Sequence, residues 1–443
     1  MTTGPGLLTA EVLFATIAAG GGHLATAQAL TGALERESGG RLRARVSDVM
    51  AEYGARDLDR RHKSAWREML ARPQLVRVGQ RLADAVPSVT RALQNALLDG
   101  FARSVAVRLN AEAPRLIVVN HGWLATAFTR ARTRFGLASP VVIFATEPFD
   151  ASALWSTPAA ETVLAPSAAA KSDLVDLGVP AKRVLVCGYP VAKRFVNAPT
   201  RAEARSQLGL DDAFTCLLSL GAEGVTGGDA VGSALRLVSE GVQVIAVCGR
   251  NEALRARLLA EARATAAGPA AAGSSPVDPA AARLHVHGFA ADMEVLLAAS
   301  DVVAGKAGPA STMEALAVGR PVLAAAYAGL NERAVIRFLE AYGLGDFTSG
   351  YQGLPAAVMA WRDDERRREA AARVARSFGF DSVLAGLGRF LVALAEPEPS
   401  SAVSPTTADL LRPGPWLQVT RERLGQHPRR RAKPVRATSE PRA

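Results

Sequence analysis

The sequence predicts an α/β fold of two doubly wound domains facing a cleft. Three observations carry this reading. Short apolar runs alternate with helical stretches almost throughout. The runs fall into two sets, separated near "VAKRFVNAPTRAEARSQLGL", where a proline interrupts the pattern and a helix restarts it. Each set also holds a glycine-rich turn between a strand and a helix, a place where backbone N–H groups meet an anion.

In chain order the first set is "VLFATI", "LRARVSDV", "RLIVVN", "PVVIFAT", "TVLAPS" and "RVLVCGYPV". The second is "FTCLLSL", "VQVIAVCG", "RLHVHGF", "DVVAGK" and "PVLAAA". A βαβ series makes a parallel sheet covered by helices, with ligands at the strand ends. The domains are therefore expected at 1–197 and 198–395, with a basic Pro/Arg-rich disordered tail over 396–443. Residues 54–110 read as Arg-rich helix, with an apolar stripe of Trp66, Met69 and Leu70, then Leu75, Val76, Val78 and Leu82. The low-complexity stretch "ARATAAGPAAAGSSPVDPAAAR" reads as a loop. "SVLAGLGRFLVALA" reads as an apolar helix packing back across both domains.

Composition narrows the class. Hydrophobic residues make up 49% of the 443, so the chain is globular. No apolar run reaches the roughly 20 residues needed to span a bilayer, and the first ten residues lack the charged start of a signal peptide. Cys187, Cys216 and Cys248 are far apart and odd in number, which fits buried thiols in a reducing cytosol. The net charge of +10 is localised: 421–443 contributes +6 and 51–110 contributes +5. Confined basic charge fits an anionic surface, either membrane or nucleic acid, with a solvated disordered end as the plain alternative for the tail.

Gly20-x-Gly22-x-x-Ala25, with Asp48 closing the next strand, satisfies the dinucleotide fingerprint and keeps a nicotinamide dehydrogenase as a competitor. The second half holds a better nucleotide site. A strand ends at Gly305, the turn Lys306-Ala307-Gly308-Pro309 follows, and Ser311, Thr312 and Glu314 open a helix. Free N–H groups and the two hydroxyls suit a diphosphate, and Glu314 suits ribose hydroxyls. The plain alternative is a capping box, Ser311-x-x-Glu314. Asp57-Leu58-Asp59, the only Asp-x-Asp, lies among arginines and reads as solvated surface charge, so no metal site is expected.

"GGGHLATAQAL" together with "KAGPASTMEALAVGRPV" resembles the monogalactosyldiacylglycerol synthase and processive diacylglycerol glucosyltransferase group, within glycosyltransferase family 28. "FATEPFDASALW", "LGVPAKRVLVCGYPV", "SLGAEG", "VCGRNEAL" and "HGFAADMEVLLAASD" fall in the group's order. The resemblance spans about residues 11–390 and implies a GT-B fold. It implies a UDP-sugar donor in the C-terminal half, a lipid acceptor such as diacylglycerol in the N-terminal half, no separate cofactor, and an inverting hexosyl transfer. It also implies donor contacts at Gly22, Gly221, Glu223, Gly224, Gly249, Arg250 and Asn251. Further donor contacts are implied at the backbone of Phe289, at Lys306, Gly308, Ser311, Thr312 and Glu314, and at the sugar-holding pair Asn331 and Glu332. Glu147 stands where the group has Asp, and Asn331 where it has Gln. With a lipid acceptor, the anionic surface expected for the basic charge is the inner face of the cell membrane rather than nucleic acid. Three other readings stay open: a soluble hydrophobic acceptor, sugar-nucleotide epimerisation, and weakly catalytic UDP-sugar binding, the last suggested by the two departures.

His23 follows the first glycine turn. An attacking hydroxyl must lose a proton, and an imidazole with a pKa near 6.5 suits that task at neutral pH. His23 and Glu147 are thus the catalytic candidates, and His121 and Trp155 the acceptor-side ones. For His23, direct contact with the donor phosphate is the competing role; for His121, it is a structural strand end.

Overall fold

A computed structural model of the protein describes residues 11–18, 21–224, 228–266, 283–396 and 407–427. It contains two six-stranded sheets, parallel throughout. The first holds β1 (Val12–Thr16), β2 (Ala44–Asp48), β3 (Leu116–Val119), β4 (Val141–Phe144), β5 (Thr162–Ala165) and β6 (Val184–Val186), in the order β2-β1-β3-β4-β5-β6. The second holds β7 (Thr215–Ser219), β8 (Gln243–Val247), β9 (Leu284–His287), β10 (Val302–Lys306), β11 (Val322–Ala326) and β12 (Gly345–Phe347), in the order β12-β11-β10-β7-β8-β9. Every strand expected from the sequence is present. β12 is the addition: three residues with no apolar run, recruited to the edge by pairing with β11.

The strand order reverses between β1 and β3 in one sheet and between β7 and β10 in the other. Ligands of such sheets sit in the crevice where the order reverses. Gly21–His23 follow β1, His121 follows β3, the Gly221 turn follows β7, and Lys306–Glu314 follow β10. Topology alone therefore gathers four of the candidate segments at the two crevices.

The helix Phe380–Ala395 crosses back and packs on Gly22–Glu37 of the first domain. Gly388 permits the contact, because a Cβ there would lie 2.8 Å from the Ala33 carbonyl oxygen. Arg389 adds an ion pair to Glu37 at 3.3 Å. Glu365–Ala395 is long and apolar enough to cross a membrane by length and composition, which corrects the expectation that no such stretch exists. It is two helices broken at Phe378–Gly379, and Leu387 and Leu391 are wholly buried in the core.

Residues 407–427 also depart from expectation. Pro and Arg content predicts disorder, yet this segment is anchored by buried Leu411, Trp416, Val419 and Leu424. The Ala169 N–H donates to Val419 O (2.8 Å), and Arg421 pairs with Asp173 and Asp176 (2.5 and 2.7 Å) on the first domain. Tyr342 Oη donates to Gln418 O on the second-domain side (3.2 Å). Residues 397–406 and 428–443 of the expected tail, and 267–282 of the low-complexity loop, lie outside the described residues.

Candidate active site

The glycine turn of the first domain rests on both loops of the second. A Cβ on Gly21 would lie 3.7 Å from Ala222 Cβ, and one on Gly22 3.6 Å from Ala310 Cβ. Gly20 lies outside the described residues. The helix Gly22–Glu37 starts without a side-chain cap, leaving its first N–H groups free at this junction. Thr26 Oγ1, one turn in, lies 3.3 Å from Tyr189 Oη at the end of the first domain.

His23 is locked from two sides. Its Nδ1 lies 2.7 Å from Asn120 O and 3.2 Å from Thr146 Oγ1, while Asn120 Nδ2 donates to the His23 carbonyl at 2.6 Å. A carbonyl can only accept, so Nδ1 carries the proton and Nε2 is left as the basic nitrogen. Burial pushes the imidazole down to about 4; the bond to Asn120 opposes this and nearby His62 adds to it. The ordinary value near 6.5 expected from the sequence is therefore corrected: His23 is neutral across the physiological range.

His121 joins it, with ring centroids 4.8 Å apart. It also caps the helix Gly122–Arg134, its Nδ1 accepting from Trp123 N at 3.2 Å. Burial, then His23 and His62, hold it well below its usual pKa. His62, which no sequence motif flagged, completes the group at 5.5 Å from His121 and 4.4 Å from Trp123. It sits on the helix Arg56–Ala71, whose position could not be read from periodicity. Among the described residues no set of three or more His, Cys, Asp or Glu is arranged to hold a metal.

Two first-domain candidates are held by their own domain. Trp155 is buried in the core at 3% exposure. Its indole completes the packing under the short helix Ala153–Trp155, a demand that outweighs surface display of so large a ring. Glu147 lies one residue beyond Thr146, but its carboxylate accepts from Ser152 N at 2.9 Å and so orders the following loop. Asp48 pairs with Lys63 at 2.5 Å rather than standing open for a ribose. Asp59 is not solvated surface charge: it is 6% exposed and pairs with the same lysine at 2.7 Å.

On the donor side, β10 leads through Gly308 into the helix Pro309–Ala317. The N-cap is Gly308, with no side-chain cap, and Ser311 Oγ instead donates to Gly308 O at 3.2 Å. The capping-box alternative is thereby excluded. A cavity of 20 Å³ opens here, lined by Ser219, Lys306, Ser311, Thr312 and Glu314 among others. Thr312 Oγ1 is buried without a hydrogen-bond partner. Burial raises the Glu314 carboxyl to about 7, with Arg194 opposing and Glu294 reinforcing.

The remaining donor residues organise one another. Lys306 pairs with buried Glu332 at 2.6 Å, and the second Glu332 oxygen accepts from Ala328 N at 2.5 Å. Asn331 folds back over Gly329. Arg250 pairs with Glu223 at 3.0 Å and lies 4.7 Å over the Phe289 ring, which is 60% exposed. Asn251 ties the glycine turn, donating to Gly224 O at 3.0 Å, while its Oδ1 accepts from Leu254 N. The Arg250 N–H donates to Ala222 O at 2.9 Å, so the turns at Gly221 and Gly249 form one unit.

Two facing doubly wound domains, with the loops after β7 and β10 of one under the glycine turn of the other, define a GT-B fold. The curated relatives agree. The protein of Nicotiana tabacum described as "Probable monogalactosyldiacylglycerol synthase, chloroplastic" is 26% identical over 393 residues, 83% of this chain and 68% of its own length. Monogalactosyldiacylglycerol synthase 1 of Arabidopsis thaliana is 25% identical over 374 residues, 79% of this chain and 64% of its own length. A processive diacylglycerol beta-glucosyltransferase of Staphylococcus epidermidis is 34% identical over 109 residues, 24% of this chain and 28% of its own length. The chain thus spans about two thirds of the length of the plant relatives. The motif resemblance and the transferase class are borne out by these relatives.

Solved structures share the fold at low identity. Staphylococcus aureus MnaA with UDP has a TM-score of 0.52 at 15% identity, covering 88% of this chain and all of that one. UDP-GlcNAc 2-epimerase of Neisseria meningitidis, bound to UDP-GlcNAc, has 0.50 at 13%, covering 86% and 98%. The glycotransferase of kitacinnamycin has 0.52 at 14%, covering 87% and 98%. No family model matches the chain.

Proposed function

We propose that this protein transfers a hexose from a UDP-sugar to a diacylglycerol-type lipid at a membrane surface. The observation that carries the reading is the seating of the His23 turn on both loops of the second domain, with Gly21 against Ala222 and Gly22 against Ala310, the neighbour of Ser311 in the lining of the Glu314 cavity. Nε2 of His23 takes the proton of the acceptor hydroxyl as its oxygen attacks the anomeric carbon. The bond to UDP breaks on the opposite face, so the anomeric centre inverts. The free N–H groups at the start of Pro309–Ala317 and the Ser311 and Thr312 hydroxyls receive the leaving diphosphate without need of a metal. Glu314 accepts from the ribose hydroxyls. His121 stands on the acceptor side.

Lipid as the acceptor rests on the relatives' names and on one surface. Leu75, Val78, Leu82, Val86, Val89, Leu93 and Leu97 are all 48–67% exposed and follow one another along the helices Pro73–Ala85 and Pro87–Glu112. They recur at helical spacing, with arginines interspersed. Such a strip suits insertion below anionic headgroups, on the inner face of the cell membrane. Val76, expected in the same stripe, is instead buried at 4%; the side chains of Trp66, Met69 and Leu70 lie outside the described residues.

The test is incubation with UDP-galactose or UDP-glucose and diacylglycerol in phosphatidylglycerol vesicles, with and without a chelator, followed by mass analysis of the lipid extract. A hexosyl-diacylglycerol in both conditions is expected. UDP binding with no lipid product from either donor would sink the reading, and a strict metal requirement would sink its metal-free part.

A further inference from the structure

The lipid-facing arm also touches the second domain. Gln80 of the helix Pro73–Ala85 accepts from the Leu330 N–H through Oε1 at 2.7 Å. The guanidinium of Arg77 lies 5.1 Å over the Tyr327 ring and donates to the Tyr327 carbonyl at 3.5 Å. Leu330 opens the helix Leu330–Ala341, and its N-cap, Gly329, has no side chain to satisfy the first N–H groups. A Cβ on Gly329 would lie 3.1 Å from Gln80 Nε2 and 2.4 Å from Asn331 Oδ1, so the two amides meet across the glycine backbone. The cap of this helix is thus supplied from the other domain. The next two residues are Asn331 and Glu332, and Glu332 holds Lys306 at the donor cavity.

We infer that Gln80 is a positioning residue for the donor sugar: by capping Leu330 from the acceptor domain it fixes the Asn331–Glu332 pair and completes the hexose pocket. This assignment rests on the UDP-hexose reading above. At about 100° per residue, Arg77, Gln80 and Asp84 share a face of the arm opposite Leu75, Val78 and Leu82. One helix therefore meets lipid on one side and shapes the sugar pocket on the other. The nucleotide contacts at Ser311, Thr312 and Glu314 do not touch Gln80, so the sugar and the UDP moiety are separable.

Calorimetry on the full chain with UDP, UDP-galactose and UDP-glucose tests this. Gln80→Leu removes the acceptor at similar size, and Gln80→Glu keeps an oxygen at the same reach. Leu330→Pro removes the donor at a position where proline is tolerated, and Gly329 already has the extended backbone that proline requires before it. Gln80→Leu is expected to raise the Kd of the bound hexose donor by roughly 5–100-fold, the scale of one buried hydrogen bond, and to leave the UDP Kd within twofold. Gln80→Glu should restore the affinity to within a few fold. Leu330→Pro should match Gln80→Leu, with no further loss in the double variant. Equal loss for UDP and UDP-hexose, no loss at all, or additive losses in the double variant would each overturn the assignment, and the Leu330→Pro comparison holds should Gln80→Leu not fold. A wild-type chain that binds UDP but neither hexose donor overturns the donor reading beneath it and the assignment together; a wild type that binds a hexose donor, with Gln80→Leu unchanged, overturns the assignment alone.

Discussion

At the scale of single residues, two ionisable groups are set against their ordinary chemistry. Glu314 is protonated more readily in the folded chain than in the unfolded one, so it lowers stability as pH rises from about 4.5 to about 7. Glu314→Gln is expected to raise the melting temperature of the ligand-free protein at pH 8, with little change at pH 4.5. In the proposed donor pose the ribose hydroxyls donate to the carboxylate, so UDP binding should release a proton near pH 7, visible as a binding enthalpy that depends on the buffer. Glu314→Gln should abolish that release and weaken UDP. His23 is pushed the other way: its imidazole resonance should titrate near 4 in the free protein. His23→Ala is expected to lower kcat by roughly 10²–10⁴-fold with little change in UDP affinity. A large rise in the UDP Kd with kcat intact would instead make His23 a phosphate contact.

At the scale of elements, the strip along Pro73–Ala85 and Pro87–Glu112 makes the clearest demand. Leu82 and Leu93 are 64% and 67% exposed, so Leu82→Glu and Leu93→Glu should leave melting within about 0.5 kcal/mol of wild type. Each should weaken sedimentation with phosphatidylglycerol vesicles by about tenfold or more, since a buried leucine contributes roughly 1.5–3 kcal/mol. Unchanged sedimentation would remove this surface from consideration. The elements also show what the sequence could and could not reveal. The central strands were legible because a strand covered on both faces needs unbroken hydrophobicity, whereas the edge strands β2 and β9 are only partly buried and showed through short alternating runs. β12 was not, since Gly345–Phe347 carries no apolar run and is held by pairing with β11 and by the bonds of Asp346 to Trp361 and Arg367. The turn from β10 into Pro309–Ala317 was legible in its glycines and in the polar residues that follow. His62 and Gln80 were not, because their roles depend on how helices without a motif cross the cleft. The burial of Trp155 was not legible, because an aromatic in a loop sequence carries no mark of whether it faces in or out.

At the scale of the whole molecule, the two domains share one aromatic seam. Phe149 of the first stacks on Phe338 of the second at 4.0 Å between ring centroids, and Trp416 lies parallel to Phe338 at 6.4 Å. Trp416 is wholly buried, and its indole N–H donates to Phe378 O at 3.0 Å. Trp416→Ala is expected to cost about 3–5 kcal/mol. Calorimetric unfolding should then split into two transitions as the seam loosens; a single transition of unchanged midpoint would show that the seam carries no stability.

The return of Phe380–Ala395 to the first domain has a mechanical meaning. The chain passes between the domains once after β6 and again before this helix. Two fastened points define an axis, as two hinges define the swing of a door. Rotation about the line through both crossings is the motion that two such fastenings oppose least. Residues 407–427 lie across the same line, held to one domain through Arg421 and to the other through Gln418, so they act as a latch that any such swing must carry with it.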